Sequence, residues 1–101
     1  MSATNNYRDF ILEQLNLLDG ITCKTMMGEY LLYYDGLLFG GIYDDRLLVK
    51  KGNSNKKYNM EESIPYDGAK TMYLVDVFDN KEALKDIVLE TCKDLKSITD
   101  K

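Results

Sequence analysis

Glu29, Asp44 and Asp45 are the carboxylates best placed to do acid–base work, and such groups need a complementary acid, base or nucleophile beside them. The sequence supplies few. None of the 101 residues is histidine, which removes Ser–His and Cys–His pairs and the commonest neutral metal ligand. Cys23 and Cys92 are far apart and form no Cys-x-x-Cys arrangement, so neither a zinc site nor a thioredoxin-type motif is indicated. Cys92 falls near the apolar face of an expected helix and reads as a structural thiol. Cys23 reads as part of a loop before the first strand. Solvated turn carboxylates suit Glu29, Asp44 and Asp45 better than catalytic ones. No catalytic residue, metal or cofactor is expected, and the chain reads as non-enzymatic.

Binding chemistry has more material. Lys50, Lys51, Lys56 and Lys57 cluster around the stretch GNSN and could meet phosphate. Tyr58, Tyr66 and Asp67 could converge beneath the connection over residues 51–70 and take a small ligand. The net charge is −4, from 17 acidic against 13 basic residues, which disfavours direct binding to DNA because that affinity comes from phosphate neutralisation. No apolar run approaches the ~20 residues needed to span a bilayer. The opening MSATNNYRDF lacks the basic and apolar regions of a secretory signal, so a cytoplasmic protein is expected. The 45% hydrophobic and 30% charged content is that of a globular chain, whose length fits one domain.

The elements that must position these residues follow from periodicity. Tyr7, Phe10, Ile11, Leu15 and Leu18 recur at helical intervals over residues 5–18, with Asn5 or Asn6 as cap and Gly20 as stop. A strand over residues 27–34 puts Tyr30, Leu32 and Tyr34 on one face and Met27, Glu29, Leu31 and Tyr33 on the other. Asp35-Gly36 predicts a tight hairpin turn, since both positions tolerate positive φ. Residues 37–43 return, and Gly40-Gly41 inside them suggests a bulge or the close approach of another backbone. Asp44-Asp45 turns the chain into a third strand over 46–50. The connection over 51–70 is long for a compact domain and either functions or conceals a short element, with residues 56–62 as a short helix. Residues 71–77 predict a fourth strand. Residues 79–97 predict a helix capped by Asp79, with Glu82 completing a capping-box pattern and Leu84, Ile87, Val88, Thr91, Leu95 and Ile98 as its apolar stripe. Two amphipathic helices with one antiparallel sheet of about four or five strands give a two-layer α+β domain, helices on one face.

Residues 26–50 resemble the N-terminal domain of the TfoX/Sxy competence regulators. That family runs as a Gly-x-Tyr strand, an Asp-Gly turn, a Phe-Gly strand, an Asp-Asp turn and a strand ending in Lys. The corresponding residues are Gly28 and Tyr30, Asp35 and Gly36, Phe39 and Gly40, Asp44 and Asp45, and Lys50. The preceding helix, Pro65 with Tyr66, and the closing strand keep the family's order. Met27-Gly28-Glu29 departs from a common Phe-Gly-Gly, and Leu31 stands where a further glycine is common. The resemblance implies a secretion-chaperone-like fold and a stand-alone relative of the N-terminal domain, without the helix-hairpin-helix region of full-length regulators. It also implies a regulatory role by protein contact or self-association in the control of competence genes. Most motif residues read as structural: glycines for backbone geometry, Tyr30 and Phe39 for packing. Tyr30, Tyr33, Tyr34 and Tyr43 are the candidate recognition face, because tyrosine buries a large ring and keeps a polar hydroxyl.

Overall fold

The computed structural model describes residues 5–77 and 79–99. The expected capping role of Asn5 and the Ile98 end of the C-terminal stripe fall on side chains outside that set. Helix α1 is Asn5–Gln14 and helix α2 is Lys81–Thr99. Between them run β1 (Ile21–Met26), β2 (Glu29–Tyr34), β3 (Leu37–Tyr43), β4 (Arg46–Val49), a 3-10 turn (Lys56–Tyr58), β5 (Glu61–Ser63) and β6 (Met72–Val75). The strands form one antiparallel sheet in the order β1-β2-β3-β4-β6-β5. The α+β class is as expected, and the sheet has six strands rather than four or five.

The first four strands are joined by three turns of one kind. Met27-Gly28, Asp35-Gly36 and Asp44-Asp45 each place two central residues at positive φ (53° and 84°, 49° and 83°, 52° and 56°), which matches the right-handed strand twist. The expected strand over 27–34 is therefore corrected at its start: Met27 is a turn residue, 94% exposed, and Cys23 lies in β1 rather than a loop. The Gly40 neighbourhood behaves as expected. Register shifts between Leu32 and Tyr33, so Phe39 is the extra residue of a β-bulge. A Cβ on Gly40 would run into the Leu48 carbonyl oxygen and lie 2.9 Å from the Val49 Cα.

One sheet face carries the core. Tyr30, Leu32, Phe39, Ile42, Leu47, Val49, Tyr73 and Val75 meet Ile11, Leu15 and Leu18 after α1 and Leu84, Ile87, Val88 and Cys92 of α2. Helix α1 stops at Gln14, shorter than expected. Tighter turns (Leu18 N–H to the Leu15 carbonyl, 3.0 Å) then carry Leu15 and Leu18 inward. The cap of α2 is Asn80, not Asp79: its Oδ1 accepts the Ala83 N–H at 3.1 Å.

The long connection conceals structure, as expected, but not a helix over 56–62. Its first half is a docked loop. Asn55 is fully buried, donates to the Lys50 carbonyl and to Thr91 Oγ1 (both 2.8 Å), and accepts the Gly52 N–H at 3.0 Å. The Asp94 carboxylate accepts from Ser54 N–H and Oγ–H, both at 2.8 Å. Its second half adds β5 to the sheet edge and folds over the sheet face away from the helices.

Candidate functional site

Alternation along β1 to β4 decides what the outer face presents. Tyr34 and Cys23 lie on the helix side, packed against the core, and Tyr30 is within it, 6% exposed beneath the Arg8 guanidinium, 5.2 Å from its ring centre. Leu31, Tyr33, Leu38, Tyr43 and Leu48 lie on the opposite side. The expected recognition face is thus split: Tyr33 and Tyr43 share the outer surface, while Tyr30 and Tyr34 do not. Leu31 pairs with Lys24 of β1 and Gly41 of β3, and the Lys24 ammonium stands 5.4 Å from the Tyr33 ring centre.

The outer face has two regions. Over β3, β4 and β6 it is roofed: a Cβ on Gly41 would lie 2.9 Å from the Tyr43 ring, so that ring lies across the sheet, and Leu48 beside it is wholly buried. Arg46 ties the roof down. Its Nη1 donates to Ser63 Oγ (2.6 Å) and the Ile64 carbonyl (2.9 Å), and its Nε to the Tyr43 carbonyl (3.2 Å). Tyr66 then sits over Tyr43 with ring centres 6.5 Å apart. Between roof and sheet is a half-open cavity of about 750 Å³. Over β1 and β2 no described residue roofs the sheet, and Leu31 and Tyr33 are half-buried beside Met26, which is 49% exposed. β1 is also an edge strand.

The remaining expected sites separate in space. Tyr66 lines the roofed cavity, whereas Tyr58 lines another hollow with Met60, Val75 and Ile87, and Asp67 is an exposed turn residue, so the three do not converge. The four lysines do not form one patch either. Lys51 is paired with Glu62 (3.0 Å) and Lys57 with Glu90 (3.5 Å). The hydrogen bond and charge of Lys51 hold the Glu62 carboxyl below the usual range. Glu29 accepts the Asp44 N–H at 3.3 Å, which ties the ends of the first and third hairpin turns together. Burial pushes both thiols up, Cys92 to about 11, with Asp35 adding to it, and Cys23 upward against the opposing charge of Arg8. Among the described residues no group of three or more Cys, Asp or Glu could hold a metal ion. Sequence reasoning missed Arg46 and Asn55; Arg46 directly follows the Asp44-Asp45 turn, and nothing local marks its distant carbonyl partners.

Residues 13–94 match the TfoX N-terminal domain, a span running from the end of α1 through most of α2. The chain belongs to the TfoX N-terminal domain family. It is also 31% identical over 78 residues to an uncharacterized 12.7 kDa protein in the trpE 5′ region of Spirochaeta aurantia, covering 75% of this chain and 68% of that one. The motif residues of this TfoX-like domain occupy the places that shape the sheet. Gly28, Asp35, Gly36, Asp44 and Asp45 make the turns, Phe39 and Gly40 the bulge, and Tyr30 the core. Lys50 follows β4, its N–H bonded to the Phe39 carbonyl at 2.8 Å, and its side chain lines the cavity.

Proposed function

We propose that this TfoX-like domain is a non-enzymatic, cytoplasmic regulatory module that works by protein contact, in line with the control of competence genes implied by its family. The observation that carries the reading is the unroofed outer strip of Met26, Leu31 and Tyr33 beside the edge strand β1. Among the described residues the helices cover only the inner face, and the crossing made by residues 51–70 roofs only the β3–β6 half. Apolar side chains flanked by one cation, next to a free strand edge, suit a second protein surface. No helix among the described residues is long and apolar enough to cross a membrane.

The test uses Met26→Asp, at an exposed position where a charge costs folding little. Light scattering reports self-association, and affinity capture from native extract reports a heterologous partner. The variant should melt with the parent and lose whichever contact the parent shows. Undiminished association and capture by the variant would remove the strip from the contact. Direct DNA binding is not part of this function: the chain carries −4 net charge, and two of its four clustered lysines are paired with glutamates. A mobility-shift assay at moderate salt should show no sequence preference. A defined shifted band surviving nonspecific competitor would contradict that.

A further inference from the structure

We propose that the roofed cavity on the outer sheet face is a binding site for a small aromatic acid. Its walls are Leu38, Tyr43 and Met72 from the sheet and Pro65 and Tyr66 from the crossing. A flat ring entering it meets an aromatic wall, because the Tyr43 and Tyr66 rings both line the space and pack against each other, centres 6.5 Å apart and planes inclined at 54°. Its volume of about 750 Å³ is that of a small-molecule site. The walls are already in place. Arg46 fixes the start of the roof through Ser63, Ile64 and Pro65, so the ligand need not order the loop.

Charge narrows the ligand. Acidic residues outnumber basic ones 17 to 13 in the chain, yet the lining includes Lys50, Lys51 and Lys70 and no carboxylate. Lys51 is engaged by Glu62 at 3.0 Å and Thr71 at 2.9 Å. Lys50 and Lys70 have no ion-pair partner among the described residues. Two unpaired ammonium groups at an apolar cavity favour a ligand with an apolar body and an anionic end. A bare anion would leave the rings unused, and exposed lysines alone hold it weakly. A neutral aromatic would gain nothing from the lysines. Burial raises the pKa of the Tyr43 phenol, with Tyr66, Glu29 and Tyr33 adding to the effect, so it keeps its proton and can donate to the acid.

The site is tested with 2-naphthoate and its neutral counterpart 2-naphthamide, by calorimetric titration and by NMR shifts on the full chain. The parent should bind 2-naphthoate with a dissociation constant of about 1 mM or tighter. The amide should bind about tenfold more weakly, with shifts centred on Tyr43, Tyr66 and Met72. The double variant Lys50→Gln/Lys70→Gln should melt with the parent and bind acid and amide alike. Met26→Asp, altered only on the unroofed strip, should bind 2-naphthoate as the parent does, so ligand binding and protein contact are read separately. Absence of saturable binding, equal affinity for acid and amide in the parent, or shifts away from the cavity would overturn the proposal.

Discussion

Gly36 occupies the second position of its hairpin turn at φ 83° with no atom within 4 Å of where a Cβ would stand, so any cost of replacing it is backbone strain alone. Gly36→Val should lower stability by about 1 kcal/mol or more, since a β-branched side chain is disfavoured at positive φ. Met27 is the converse. It holds φ 53° while 94% exposed, so its side chain gives little in return for the strain. Met27→Asn should raise stability by about 0.5–1 kcal/mol, because asparagine tolerates this conformation. Denaturant melts of the two variants check both signs, and a Gly36→Val midpoint equal to the parent's would dismiss the turn. At the thiols, Cys92 is 5% exposed and its pKa is raised by burial to about 11, whereas Cys23 is only half-buried. Iodoacetamide should therefore modify Cys23 first, with Cys92 protected until unfolding. Native labelling of Cys92 ahead of Cys23 would contradict the buried placement.

The crossing shows which elements depend on long-range bonds. Asn55 joins residues 50 and 52 to Thr91 of α2, and Thr91 Oγ–H in turn donates to the Ile87 carbonyl at 2.8 Å. Asn55→Leu would strip a buried network of its centre, leaving the Lys50 carbonyl and Gly52 N–H without partners. A loss of about 2–4 kcal/mol is expected in a chemical melt, with the largest rise in amide exchange over residues 50–58. Unaltered exchange there would mean that the loop is held by something else. These dependencies also separate what was legible in the sequence from what was not. The Asp35-Gly36 and Asp44-Asp45 hairpins, the bulge and close backbone approach at Gly40 and the stripe of α2 are local patterns, and they were legible. β1 was not, because its turn uses Met27, a residue that carries no signal for positive φ. β5 was not, because three residues without alternation become a strand only when β6 is already there to pair with. The roofed cavity was legible only as a long connection. Tyr66 was placed correctly beside it, while Tyr58 was drawn elsewhere by packing against the core.

Over the whole molecule the chain divides its sheet unequally. The inner face is closed by two helices, half of the outer face by the crossing, and the remaining half, at β1 and β2, carries Leu31 and Tyr33 toward solvent. The central claim is that this last region is where the domain meets another protein. Tyr33 and Tyr34 are adjacent in β2 and point to opposite faces, which makes them an internal control. Tyr34→Ser removes a ring packed against the core and should cost about 2 kcal/mol. Tyr33→Ser should fold like the parent, judged by melting. The most direct measurement is light scattering combined with partner capture on the parent and on Tyr33→Ser, both shown to be folded. The expected result is association by the parent that the folded Tyr33→Ser protein loses. If the folded variant associates and captures as the parent does, or if neither protein forms any contact, the outer strip is not an interaction surface.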